Sequence, residues 1–347
     1  MILPPVPASL DRAAGWSWRL LVCAAAALAV LAVLWYLRVI VLPVMLAITI
    51  APALEPVAGR LRRSRLERPA AGLALLAGLA VVAGLIAIVT TSVLAQWDEL
   101  ADAVSRAVDD ITDRLEGEPF NLSLDRTEDF QSSLADSWQE ASGYAASGVQ
   151  AGVGLVTGLV LAIAVLYFVL RDGAELWAWI LRRFAPETRP AIDRAGQRAW
   201  DVLGGFVRGT ALIAAVDATL IGIGLWLLGV PLAFALAVLV FLGAFVPFVG
   251  AFVSGLVAVL VAFADEGWEI GLAALVLVVA VQFIEGNFLQ PIIQSRTVDL
   301  HPAVILLAVA AGASLFGIAG AYLAVPVTAV VFAVVASLRG DALPDAP

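Results

Sequence analysis

Long stretches without a charged residue dominate this sequence. They cover residues 20–37, 70–96, 141–170, 218–264 and 302–338. A helix that crosses a bilayer needs about 20 apolar residues. Most of these runs are therefore long enough for one membrane-spanning helix, and two of them are long enough for two. With 62% hydrophobic and 14% charged residues, the chain lies far outside the composition of water-soluble domains. The sequence therefore predicts an all-α, polytopic bundle of about eight spans in a lipid bilayer, with broken or re-entrant C-terminal helices.

Shifts of composition divide the chain into six parts. Membrane segments one to three are predicted within 1–95, a small acidic extracytoplasmic helical hairpin at 96–146, and segment four at 147–170. An amphipathic cytoplasmic stretch is predicted at 171–208, the C-terminal membrane segments at 209–338, and a cytoplasmic tail at 339–347. The run that ends at residue 338 is too long for one ordinary span, which predicts two half-length segments or a re-entrant hairpin within it.

The placement of arginine predicts the orientation of the chain. All 20 cationic residues are arginines, and five of them stand in the short stretch 59–69, where the positive-inside bias is most reliable. The stretch 96–140 instead has thirteen acidic residues against three arginines, and the junction 265–269 is acidic without arginine. Placing the basic loop inside puts sixteen arginines on the cytoplasmic side and four outside. Both termini are therefore expected in the cytoplasm.

Several functional classes are disfavoured. The chain has no lysine, hence no P-loop lysine, which argues against direct ATP-driven transport. One cysteine, Cys23, and one histidine, His301, cannot build a multi-cysteine or two-histidine metal site, and Cys23 is interpreted as a buried thiol. No H-E-x-x-H or G-x-S-x-G motif is present, so we expect no enzyme, no cofactor and no metal, and nucleic acid is not an expected partner.

Asp217 is a carboxylate near the middle of the fifth predicted span. A charged side chain there costs about 2.5 to 3.5 kcal/mol on insertion scales, so its presence needs a reason. One interpretation is a proton or cation site that couples protonation to transport. The alternative is an interhelical hydrogen bond that orders packing.

A second polar group, Gln282, Glu285, Asn287 and Gln290, lies directly before Pro291. Glu285 is three residues from Gln282 but five from Gln290, so only part of the group shares one face of an α-helix. Pro291 disfavours helix at Gln290, which predicts free carbonyl groups able to bind a cation or a polyol-like solute. Ordinary polar residues at a helix end are the alternative.

Two further sets complete the candidate residues. Arg208 and His301 are placed at a cytoplasmic mouth, where Arg208 attracts an anionic ligand or pairs with Asp201; the simpler interpretations are a positive-inside anchor and a boundary residue. Proline and glycine are expected to supply hinges or broken helices at Pro247, Gly250, Pro291, Gly317, Gly320 and Pro326.

One short pattern is specific enough to suggest a family. The run Glu285-Gly-Asn287-Phe-Leu-Gln-Pro291, followed by Leu300-His301-Pro302, resembles the signature of the autoinducer-2 exporter-like (AI-2E) family. Other blocks in matching order are similar to that family as well: Tyr167-Phe-Val-Leu-Arg-Asp-Gly173, Gly229-Val-Pro231, Pro247-Phe-Val-Gly250 and Gly317-Ile-Ala-Gly320-Ala-Tyr-Leu-Ala-Val-Pro326. The resemblance covers nearly the whole chain.

The resemblance implies a multi-pass protein of the bacterial inner membrane, with about eight segments and a homo-oligomeric state. It implies a secondary transporter that exports a small polar solute such as the quorum-sensing signal autoinducer-2. Proton coupling through Asp217 and the Glu285 group is expected. A sodium or lithium/proton antiporter is one alternative, and a non-transporting scaffold or channel-like oligomer is another.

Overall fold

The computed structural model describes residues 8–63, 69–95, 148–246, 249–290 and 301–339. Their regular structure is helical throughout: α1 (Ala8–Tyr36), α2 (Arg38–Arg63), α3 (Ala70–Ala95), α4 (Gly148–Leu181), α5 (Arg189–Leu227), α6 (Ala233–Gly243), α7 (Val249–Glu266), α8 (Trp268–Ile284), a π-helical turn (Glu285–Leu289) and α9 (Pro302–Arg339). Seven of these helices are long and apolar enough to cross a membrane. The predicted all-α membrane bundle is confirmed.

Some predicted features fall outside these ranges. The acidic hairpin at 96–146, the residues Pro247 and Pro291, and the tail beyond residue 339 are not among the described residues. The interpretation of Cys23 as a buried thiol is wrong, because Cys23 is exposed. Every side chain from residue 15 to residue 26 of α1 is likewise exposed, as expected for a helix that faces lipid.

Two apolar cores organise the helices. The first joins α2, α3 and α4 through small residues such as Ala47, Ala51 and Ala74, which let the helix backbones approach closely. The second joins α5, α6, α7 and α8, and its fully buried members include Ile221 and Val261. The boundary between α5 and α6 lies at the predicted Gly-Val-Pro turn, where Gly229 has a φ of 80° that favours glycine.

Helix α5 belongs to both cores. Its 39 residues extend about 58 Å. In the first half, Trp200 packs against the first core. Val202 forms a small apolar cluster with Ala329 and Ala333 of α9. The second half lies in the core of α6 to α8. The helix continues through residues 208 and 209. The predicted boundary between the cytoplasmic stretch 171–208 and the membrane segments from residue 209 therefore lies inside a continuous helix.

Helix α9 folds back on itself. Phe316 (φ −133°, ψ 16°) and Gly317 (φ 62°, ψ −147°) leave helical geometry, and Gly317 adopts a conformation that L side chains rarely adopt. A Cβ added to Gly312 would collide with the carbonyl oxygen of Gly320, although eight residues span about 12 Å in a straight helix. The predicted break is therefore confirmed at Gly317, whereas Pro326 lies buried inside the second half-helix and marks no break.

Close contact of glycines also joins α6 to α7. A Cβ on Gly243 would lie 2.7 Å from the carbonyl oxygen of Gly250 and 2.9 Å from Oγ of Ser254. Gly250 thus stands at a tight crossing of two helix backbones, near the start of α7. Its role as a hinge remains a prediction.

Candidate carboxylate site between α5 and the π turn

Asp217 is buried on the inner side of α5. Its side chain is 3% exposed, and its helical neighbours Ile213, Ala214 and Ile221 are buried as well. These residues stand three or four positions away, so they surround the carboxyl group with apolar side chains. The Oδ1 atom has no hydrogen-bond partner among the described residues. Such a group is rare in folded proteins, since an unpartnered buried polar atom is costly.

Glu285 brings a second carboxyl group to Asp217. It is the first residue of the π turn and is half-buried. The two carboxyl groups lie close enough for their charges to interact, although they come from helices far apart in the sequence. Gln290 Nε2 donates a hydrogen bond of 3.1 Å to Oε1 of Glu285. Three of the predicted residues, Asp217, Glu285 and Gln290, therefore form one site.

The π turn explains how Glu285 and Gln290 share a face. In an α-helix, residues five apart point about 140° away from each other. Here the N–H of Gln290 bonds to the carbonyl of Glu285, which is the i→i+5 pattern of a π-helix. The wider turn rotates the two side chains onto the same side. The sequence-based expectation that they lie on different faces is corrected by this local geometry.

The other two members of the predicted cluster take different positions. Asn287 is exposed, and its Nδ2 donates to the carbonyl oxygen of Phe283 at 2.9 Å. Its side chain therefore bonds within its own segment. Gln282 is half-buried one turn before Glu285.

Comparison with known proteins identifies the group to which this architecture belongs. The model of the family described as "AI-2E family transporter" matches residues 25–340. The chain belongs to the AI-2E transporter family. Its role is accordingly transport across a membrane, in agreement with the seven apolar helices.

Relatives within the AI-2E family carry provisional transport names. A candidate transport protein of Mycobacterium tuberculosis (strain CDC 1551 / Oshkosh) is 36% identical over 323 residues, which is 92% of this chain and 88% of the relative. The candidate transport protein YrrI of Bacillus subtilis (strain 168) is 32% identical over 38% of this chain and 36% of its own length. The candidate permease PerM of Escherichia coli (strain K12) is 24% identical over 53% of each chain.

Arg208 of this AI-2E family member binds the backbone of α2. Its Nη1 donates to the carbonyl oxygen of Pro52 at 3.2 Å. Pro56 has no N–H, so the carbonyl four residues before it lacks its helical partner. The predicted pair with Asp201 is replaced by this contact, and Asp201 is exposed. A role at the mouth of the transport path stays a prediction for Arg208.

His301 lies at the start of α9. Its Nδ1 accepts a hydrogen bond of 3.2 Å from the N–H of Ala303, and its side chain is exposed. This arrangement caps the first turn of the helix. A role of His301 at the mouth of the transport path likewise stays a prediction.

Sequence reasoning missed a second contact between α2 and α5. Trp200 Nε1 donates to Oε2 of Glu55 at 2.7 Å. Nearby, Arg62 donates to the carbonyl oxygen of Leu170, just before the kink of α4 at Asp172. Glu55 was detectable, because it stands between Pro52 and Pro56 within a largely apolar helix.

Within the described ranges, no group of three or more His, Cys, Asp and Glu side chains comes together. Asp217, Glu285 and the amide oxygen of Gln290 are described groups of this site that could ligate a cation.

Proposed function

We propose that the protein is a secondary transporter that exports a small polar solute of the autoinducer-2 type and is coupled to protons through Asp217 and Glu285. The observation that carries the proposal is Oδ1 of Asp217, which is buried beside a second carboxyl group and has no hydrogen-bond partner within the described ranges. Ionisable residues inside membrane segments mark ion paths and proton relays by default. The family supports transport in general, and the pair supports coupling.

The chemistry of the two carboxyl groups suits alternate binding and release of a proton. Two neighbouring carboxylates repel each other, and a proton shared between them removes that repulsion. Gln290 holds Glu285 through Oε1, which leaves the facing carboxyl of Asp217 with an open acceptor. Asp217 is therefore proposed as the group that gains and loses the proton, with Glu285 as its partner.

The fold offers a way to expose the pair to either side. Helix α5 connects the core of α2 to α4 with the core of α6 to α8. Asp217 lies just before the second of these cores, of which Ile221 is the first α5 member. Rocking one core against the other about α5, with the broken helix α9 as a flexible element, would open the site alternately to the two sides of the membrane.

Orientation with both termini in the cytoplasm of a bacterial inner membrane is part of the proposal.

A sodium or lithium/proton antiporter is the second candidate. Two carboxyl groups with the amide of Gln290 beside them provide hard oxygen ligands, which suit a monovalent metal cation as well as a proton. In that case Asp217 would bind the ion directly, and no organic solute would move.

Flux in reconstituted vesicles separates these functions. The full chain is placed in liposomes that contain a pH-sensitive dye, a proton gradient is imposed, and sodium, lithium, potassium or labelled autoinducer-2 is offered. Solute movement that dissipates the gradient supports the exporter; dye signals that depend only on sodium or lithium support the antiporter. A protein that moves none of these would instead be a scaffold or channel-like oligomer.

A further inference from the structure

The end of α4 extends past the length needed to cross a bilayer. Its uncharged part, residues 148–170, is about 34 Å long, whereas the hydrocarbon core is about 30 Å thick. The charged residues Arg171 and Asp172 follow, and Asp172 kinks the helix. From this length we expect the last turns of α4 at the level of the lipid headgroups.

These last turns and the residues directly after them present an exposed strip of apolar side chains, which we call the α4 strip: Leu176 and Trp179 of α4, and Phe184 just beyond its end. Trp179 is 50% exposed, Leu176 46% and Phe184 42%. The neighbouring side chain of Trp177 points inward instead, where its Nε1 donates to Oδ1 of Asp193 at 2.7 Å and its ring packs on Gly196. The α4 strip therefore faces away from the protein.

Two arginines stand beside the α4 strip. The guanidinium of Arg183 lies 4.6 Å above the ring of Trp179, and Arg182 is exposed next to it. Neither forms an ion pair within the part of the chain that the structure describes. Arg189 is different, because its Nε donates to the carbonyl oxygen of Phe184 at 3.0 Å and so closes the end of α4.

We propose that the α4 strip with Arg182 and Arg183 binds the headgroup of an anionic phospholipid. Tryptophan and phenylalanine suit the boundary between hydrocarbon and headgroups, since one side of that layer is apolar and the other wet. Guanidinium groups bind phosphate through paired hydrogen bonds, and stacking on Trp179 holds one of them in place. The occupant is a lipid rather than a soluble anion because the apolar side chains and the cations form one continuous surface. This inference does not depend on the proposed transport function.

The lipid selectivity of the full chain tests whether Arg182 and Arg183 attract an anionic headgroup. Spin-labelled phosphatidylglycerol and phosphatidylcholine are compared at the surface of the protein in vesicles. We expect Arg182→Gln/Arg183→Gln to lower the preference for phosphatidylglycerol, by about fivefold per arginine removed. Arg194→Gln, which removes an exposed arginine of α5 outside the strip, is the control and should leave the preference unchanged. Equal preference in the double variant and the unaltered chain would overturn the proposal.

A fluorescent label tests how deep the α4 strip lies in the bilayer. With Cys23→Ser removing the single cysteine, Phe184→Cys carries an environment-sensitive dye. Quenching by lipids labelled near the headgroup is expected. Quenching by aqueous iodide instead, or shielding from both quenchers as a second protein chain would produce, would contradict a lipid-facing strip.

Discussion

At the scale of single residues, Asp217 combines two properties that selection for stability alone would not favour. Its side chain is buried among apolar helical neighbours and beside Glu285, and in the part of the chain that the structure describes its Oδ1 has no hydrogen-bond partner. Residues of this kind persist where function needs them, and they cost stability. The packing alternative would leave this Oδ1 without a hydrogen bond to any of the described residues.

This cost predicts the effect of Asp217→Asn on stability. The amide is neutral and nearly isosteric, so its burial beside Glu285 is less costly than that of a carboxylate. We expect the apparent Tm in detergent to stay equal or rise. Asp201→Asn, an exposed position on the same helix, is the matched control with no expected change. A large fall in Tm for the Asp217 variant alone would indicate a structural role.

Much of the site could be predicted from the sequence, for a physical reason. Charged residues stand out in apolar runs, so Asp217 and Glu285 were both identifiable. The proximity of their two carboxyl groups could not be predicted, because it depends on tertiary packing between α5 and the π turn. The common face of Glu285 and Gln290 was missed since helical periodicity of 3.6 does not hold where the backbone bonds i→i+5.

At the scale of elements, proline in α2 and arginine in α5 act as one unit. Pro56 removes the backbone donor for Pro52, and Arg208 replaces it. Removing Arg208 by Arg208→Met should leave that carbonyl without a partner, which costs about 1–3 kcal/mol. Pro56→Ala restores a backbone N–H and should rescue most of this loss.

The measurement is a double-mutant cycle of unfolding by denaturing detergent. We expect a coupling of about 1 kcal/mol or more between positions 56 and 208. Purely additive effects would show that the carbonyl of Pro52 does not need Arg208.

The folded-back form of α9 gives a second prediction for an element. A methyl group at Gly320 would collide with the carbonyl of Gly312 and lie 2.6 Å from Cβ of Phe316. Gly320→Ala should therefore destabilise the protein by about 1–3 kcal/mol in detergent unfolding. Gly84→Ala on α3, where an added Cβ has none of the described atoms within 4 Å, is the control and should be neutral or slightly stabilising. Similar stability of both variants would argue against a tight turn in α9.

Helices were predictable from run length because a bilayer demands about 20 apolar residues. The residues at which helices begin and end were harder to predict, and α5 is an example. Arginine density marks the membrane boundary, yet the helix passes through Arg208 and continues, since its backbone bonds are satisfied equally in water and in lipid.

For the whole molecule, the charge distribution predicts one orientation in the membrane. The sixteen-to-four distribution of arginine predicts that the end of α2 faces the cytoplasm and the junction before α8 faces outward. In a Cys23→Ser background, Arg63→Cys should react with a membrane-impermeant maleimide only after the cells are opened. Trp268→Cys should react in intact cells. The reverse pattern would invert the proposed direction of transport.

Proton flux in liposomes measures whether transport is coupled to the carboxylate pair of Asp217 and Glu285. The unaltered chain, Asp217→Asn and Asp201→Asn are compared for solute- or cation-driven proton movement at equal amounts of inserted protein. We expect Asp217→Asn to abolish coupled proton movement, whereas Asp201→Asn retains it. Unchanged proton-coupled flux in Asp217→Asn would show that Asp217 is not the coupling group.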